Sequence, residues 1–218
     1  MHHSRILWPK AAAAVLALMF LSATQITTAA ARPIRLVALG DSITAGLGLK
    51  PGDTYVDRLQ AALRAKGFDA EIANAGVSGD TASDGLDRID WSVPDGTDGV
   101  ILALGANDML RGVDPVLTFK ALDAIITRLQ ARKIGVLLVG MLASTNLGEP
   151  FRAAFDRIFP DLANRRGIDL YPFLLQGVAM HADLNQEDGL HPNARGAAVL
   201  ASALLPAVLK FTEHIGKR

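Results

Sequence analysis

The stretch Ile34-Arg35-Leu36-Val37-Ala38-Leu39-Gly40-Asp41-Ser42-Ile43 decides how the rest of the chain is read. An apolar run of strand length ends at a Gly-Asp-Ser turn. A serine at the end of a buried strand, flanked by small residues, is held rigid and accessible, as a nucleophile must be. Gly, Asp and Ser also favour turns for their own reasons, so Gly40-Asp41-Ser42-Ile43 alone reads first as a plain turn. It becomes a reactive site only if a base, an orienting acid and oxyanion donors stand at comparable positions elsewhere.

Comparable apolar runs recur at residues 70–73, 99–104, 134–139 and 168–170, with 34–39 as the first. Several are continuously apolar, which suits strands covered on both faces. Between them lie segments with one apolar stripe at helical spacing, such as Tyr55, Leu59 and Leu63, or Leu122, Ile125, Ile126 and Leu129. Asp53 and Asp80 are expected helix N-caps, and Asp114 followed by Pro115 places a cap and then a first-turn proline. Gly67 is an expected stop for the first long helix. The last helix is expected from Asn193 to about Phe211, bent or split by Pro206. The alternation predicts an α/β fold with a parallel sheet and helices on both faces. Ligands of such a sheet bind at the carboxyl ends of its strands.

The N-terminus reads as a targeting segment. His2, His3, Arg5 and Lys10 form a basic start, residues 11–23 are apolar, and Ala29-Ala30-Ala31 supplies small residues for cleavage. The apolar stretch falls short of the roughly 20 residues that a membrane span needs, so a signal peptide over 1–31 is expected, with an uncleaved anchor as the competing reading. Residues 32–218 then form one domain, periplasmic or secreted, with no stable membrane insertion after cleavage. The chain has no cysteine, which excludes a lipid-modified N-terminus, disulfides, a cysteine nucleophile and cysteine metal sites. Its basic and acidic side chains balance, 22 against 22, so no basic field favours nucleic acid.

Four loops fall at the carboxyl edge. They are Gly40-Asp41-Ser42, Asn74-Ala75-Gly76-Val77-Ser78-Gly79-Asp80-Thr81, Gly105-Ala106-Asn107-Asp108 and Asp188-Gly189-Leu190-His191-Pro192. Serine needs a base to take its proton as it attacks, and His191 is the candidate because imidazole titrates near neutrality. Asp188, three residues earlier, can sit beside the ring and fix its tautomer. The backbone N–H groups of Ser42 and Gly79 and the side-chain amide of Asn107 can serve as oxyanion donors. Each has a plainer reading. Gly79 fits a turn, Asn107 can satisfy loop backbone, and a histidine before proline is often structural. Ser78 is a rival nucleophile, Asp41 is expected to brace its loop, and His181 and His214 read as loop and surface residues.

Gly40-Asp41-Ser42, Gly79, Gly105-Ala106-Asn107-Asp108 and Asp188-Gly189-Leu190-His191 resemble the four blocks of the SGNH (GDSL) hydrolase family, in the same order and over essentially all of residues 32–218. The resemblance implies a three-layer α/β/α sandwich with a flavodoxin-like five-stranded parallel sheet. It also implies catalytic Ser42, Gly79, Asn107, Asp188 and His191, no cofactor and no metal, and hydrolysis of small acyl esters or thioesters. Asn74-Ala75-Gly76-Val77-Ser78-Gly79-Asp80-Thr81 and Met109-Leu110-Arg111-Gly112 are similar to the bacterial acyl-CoA thioesterase I, lysophospholipase and arylesterase group. Gly140-Met141-Leu142-Ala143 is similar to the arylesterase branch, but Ser144-Thr145 stands where that branch tends to have prolines. That loop is expected to border the acyl pocket, with Met109, Leu110, Val113 and Leu147 forming its wall. Two other readings stay open. One is a carbohydrate O-acetylesterase on the same fold, against which stands the scarcity of aromatic residues for sugars. The other is a non-enzymatic flavodoxin-like module whose first loop cradles a phosphate, which leaves Asn107, Asp188 and His191 unused.

Overall fold

A computed structural model of the protein describes residues 32–216. The expected signal segment, 1–31, lies outside the described residues. Five parallel strands, β1 (Ile34–Gly40), β2 (Ala70–Gly76), β3 (Gly99–Ala103), β4 (Gly135–Val139) and β5 (Asp169–Tyr171), form one sheet in the order β2-β1-β3-β4-β5. β3 and β4 are buried along their whole length, and Leu36 to Leu39 of β1 are buried with them. Their continuous apolar character is therefore explained by helices on both faces.

Among the helices, α1 (Ser42–Ala45) follows β1 directly, and α2 (Tyr55–Ala65) returns to β2. α3 (Ala82–Asp87) and α4 (Ile89–Ser92) lead to β3, and α5 (Ala106–Leu110) and α6 (Pro115–Ala131) lead to β4. α7 (Glu149–Asp156) and α8 (Ile158–Arg166) precede β5, and α9 (Ala194–Gly216) closes the chain. α2 packs with α9, while α3 and α8 pack with α6. The fold is the expected three-layer α/β/α arrangement.

Several local expectations change. The N-caps are Thr54 and Thr81, each one residue past the expected aspartate. Thr81 shares a reciprocal capping box with Asp84, which leaves the Asp80 carboxylate free for another partner. The last helix runs through Pro206 without splitting and continues past Phe211 to Gly216. Asn193 caps it, its Oδ1 accepting from the backbone N–H of Arg195 and Gly196. β2 extends to Gly76, beyond its apolar part, because backbone pairing with β1 continues as far as Gly40 opposite Gly76. Gly76 must be glycine: a Cβ there would lie 2.1 Å from the backbone nitrogen of Ala45. The longer strand carries the second loop up level with the first, and Val77 N–H donates to the Gly40 carbonyl.

Candidate active site

The first loop is built from beneath. Asp41 caps α1, its Oδ1 accepting from Ile43 N–H at 3.0 Å, so Ser42 becomes the first residue of the helix. The buried hydroxyls of Thr44 and Tyr55 bond each other at 2.9 Å, and Asn74 Nδ2 donates to the Thr44 carbonyl at 2.7 Å. α1 is thus held by β2 and α2 together. Ser42 is only 8% exposed, yet its side chain opens into a cleft.

The fourth loop reaches this point from far along the chain. Asp188 Oδ1 accepts from the backbone N–H of Leu190 and His191, at 2.9 and 3.0 Å, which folds the segment so that ring and carboxylate meet. Gln186 Nε2 donates to the Leu47 carbonyl at 2.7 Å and ties the loop to the end of α1. The result is a chain of two hydrogen bonds. Ser42 Oγ lies 2.8 Å from His191 Nε2, and His191 Nδ1 lies 2.5 Å from Asp188 Oδ2. The backbone N–H of His191, its ring and the N–H of Leu190 pull the Asp188 carboxyl down to about 2, so it is ionised at neutral pH. An ionised carboxylate only accepts. Nδ1 of a neutral ring must then carry the proton, which leaves the Nε2 lone pair to accept from Ser42 Oγ–H.

The other two loops bring donors. Gly79 sits at φ +89°, a left-handed conformation that glycine adopts without steric cost, and Arg111 Nη2 holds its carbonyl at 2.7 Å. Asn107, on the first turn of α5, donates from Nδ2 to the Asp80 carbonyl at 3.0 Å. Next to it, buried Asp108 accepts from Ala82 N–H and the Thr118 hydroxyl, which joins α5 to α3 and α6. Ser42, Gly79, Asn107 and His191 all line one cleft of about 240 Å³. Ser78 lines it too, but among the described residues no imidazole or carboxylate hydrogen-bonds its hydroxyl. His214 pairs instead with Asp169.

Burial pushes the carboxyl of Asp41, 3% exposed, up to about 6, against the pull of the Ile43 N–H and the attraction of His191. Asp41 thus braces the loop as the cap of α1, with a carboxyl whose charge burial disfavours in the floor beside Ser42.

The apolar lining comes from Ile43, Leu47, Met109, Leu110, Met141, Leu175 and Leu190. Met109 and Leu110 stand where expected. Val113 does not, because it follows the turn at Gly112 and borders a separate groove with Thr81, Leu86 and Leu117. Leu147 packs on the core, and neither it nor Ser144-Thr145 reaches the cleft. Met141 had a signal in its motif. Leu190 likewise lies within the Asp188-Gly189-Leu190-His191 block, whereas Leu175 had no signal, since it lies in no motif and on no periodic stripe. A larger hollow of about 490 Å³ along α6 has neither serine nor histidine in its lining, so volume alone does not mark the site.

The family model for the GDSL-like lipase/acylhydrolase family matches residues 38–199, spanning all four loops. The chain belongs to this family. It is 35% identical to the esterase TesA of Pseudomonas aeruginosa over 72% of this chain and 79% of that protein. It is 30% identical to an arylesterase of Vibrio mimicus over 81% of this chain and 88% of that protein. Among solved structures, the SGNH-hydrolase family esterase AlinE4 matches at 45% identity and a TM-score of 0.70, covering 82% of this chain and 96% of that one. As a GDSL-family acylhydrolase the protein is an enzyme acting on ester bonds, which displaces the phosphate-binding module.

Proposed function

We propose that this GDSL-family enzyme is an exported serine esterase for short and medium acyl esters, with Ser42 as nucleophile, His191 as base and Asp188 as its orienting acid. The observation that carries the reading is the unbroken line from Ser42 Oγ through the imidazole to Asp188 Oδ2, at 2.8 and 2.5 Å.

In this reading the Ser42 oxygen attacks the ester carbonyl while its proton passes to His191 Nε2. The ring becomes a cation, stabilised by Asp188. The carbonyl oxygen becomes an anion that accepts from Ser42 N–H, Gly79 N–H and the Asn107 amide. The C–O bond to the leaving alcohol then breaks, and His191 returns the proton to that oxygen. A water deprotonated by the same nitrogen attacks the acyl-serine, and collapse of the second tetrahedral species releases the acid and restores Ser42. A thioester follows the same course with sulfur as the leaving atom.

The size and lining of the cleft support an acyl group of modest length. About 240 Å³ lies below the roughly 300–1,000 Å³ usual for drug-sized ligands, and the walls are aliphatic or methionine. Among the described residues no Phe, Tyr or Trp lines it, which favours an acyl substrate over a sugar O-acetyl ester. The basic start and apolar stretch of residues 1–31 support export to the periplasm or beyond, and the mass of the exported protein tests cleavage.

The deciding experiment is hydrolysis of p-nitrophenyl esters and matched thioesters in an acyl-length series. Ser42→Ala abolishes turnover and Ser78→Ala retains most of it. The reverse pattern removes Ser42 from the role.

A further inference from the structure

A buried ion pair lies directly beneath the cleft. Arg88, just after α3, is 5% exposed, and its guanidinium makes three hydrogen bonds. Nε donates to Asp80 Oδ2 at 2.5 Å, Nη2 to the Gly40 carbonyl at 2.9 Å, and Nη1 to Ser92 Oγ at 2.9 Å. Gly40 is the strand residue from which Asp41 and Ser42 emerge. Asp80 follows Gly79, and its own carbonyl accepts from Asn107 Nδ2. One guanidinium therefore ties the segment bearing Ser42 to the segment bearing Gly79, and Asp80 carries the tie on to Asn107.

We infer that Arg88, paired with Asp80, is a positioning residue that holds the three oxyanion donors in register; this rests on the reading of Ser42, Gly79 and Asn107 given above. Stability is a poor reason to keep such a pair. Two buried charges lose their hydration, and an apolar pair of similar volume is often as stable or more so. Geometry is a better reason. The planar guanidinium fixes several acceptors at once, which a lysine ammonium does not match. Oxyanion donors act only if aimed to within a few tenths of an ångström of the developing charge. Asp80 is also free for this use only because Thr81 caps α3 in its place.

The test separates positioning from folding. Arg88→Met alone strands the Asp80 carboxylate and can unfold the protein, so the informative variant combines Arg88→Met with Asp80→Leu. It strands neither charge of the pair but loses the tie between Gly40 and the Asp80 loop. With p-nitrophenyl butyrate, its kcat falls on the order of 10²-fold, the cost of about 1 Å of misplacement, while KM changes by less than about threefold. The melting temperature stays close to wild type, and the acid limb of the pH–rate profile does not move. Arg88→Lys recovers only part of kcat. Ser92→Ala, which removes the one bond of Arg88 that leads away from the cleft, leaves kcat unchanged. A double variant that keeps wild-type kcat, or loses activity only through KM or through unfolding, overturns the inference. Ser42→Ala run alongside distinguishes the two failures: if it stays active, the site reading itself is wrong, and if it is dead while the double variant is normal, only the positioning role falls.

Discussion

Replacing Asp41 by asparagine is expected to make the protein more stable and the enzyme slower. The Asp41 carboxyl titrates near 6 in the fold against an ordinary value of 3.8, chiefly because burial disfavours its charge. Between about pH 4 and 6 the folded state holds a proton that the unfolded chain has lost, so stability falls as pH rises through that window. The full cost, at about 1.4 kcal/mol per pH unit of displacement, is about 3 kcal/mol above the window. Asparagine caps a helix as well as aspartate does and can still accept from Ile43 N–H, but it never ionises. Urea unfolding followed by circular dichroism should show variant and wild type nearly equal at pH 4. At pH 8 the variant should lead by about 3 kcal/mol, or about 6–12 °C in melting temperature for a domain of this size. A gap of the same size at both pH values, or a wild type that gains on the variant as pH rises, refutes the reasoning. The price of that stability is catalytic. In the proposed mechanism the His191 ring becomes a cation as Ser42 attacks, and an ionised Asp41 attracts that cation, so kcat of the variant falls; an unchanged kcat confines Asp41 to the cap.

Further outcomes follow from the same geometry. Asn107→Ala removes one proposed oxyanion donor and lowers kcat by about 10²–10³ with little change in KM; a loss confined to KM contradicts the role. Asp188→Asn keeps a side chain of the same shape but turns an N–H toward His191 Nδ1, favouring the wrong tautomer, and lowers kcat at pH 7 by about 10⁴, as steady-state kinetics would show. Met141→Ala enlarges the cleft, so kcat/KM for longer acyl chains rises relative to butyrate by about fourfold per newly buried methylene, at about 0.8 kcal/mol each; an unchanged chain-length profile removes Met141 from the acyl wall. Gly76→Ala drives a Cβ against the Ala45 backbone and costs about 1–3 kcal/mol, readable as a lowered melting temperature.

Legibility followed the range of the interactions. β1, β3 and β4 were readable because a strand buried on both faces must be apolar throughout, which is a property of consecutive residues. β2 reads three residues short in the sequence, since Asn74 and Gly76 are turn-favouring residues and the pairing of 74–76 with β1 is made by backbone groups. Asp80 and Asp53 read as caps because aspartate before a helix usually is one, but Thr81 and Thr54 stand nearer the first turn, and the aspartates pair with arginines, Arg88 and Arg58. Val113 and Leu147 were expected at the acyl wall from their place in loops at the right edge. Which way a loop side chain faces depends on turns such as that at Gly112, and apolar character alone does not reveal it.

The strands, the four loops at their carboxyl edge and the chemistry each loop offers were legible from the residues alone, because apolar runs and turn residues act locally. Tertiary structure decided the rest. Ser42 and His191 are 149 residues apart, and only the sheet order β2-β1-β3-β4-β5 and the return of the last loop over α1 bring their atoms within 2.8 Å. Burial likewise decided that the charge of Asp41 is disfavoured, and that Arg88, unremarkable on a helix end, joins Gly40 at the end of β1 to Asp80 in the second loop. Those are effects of solvent exclusion and of contact between distant segments, and they come into being only when the chain is folded.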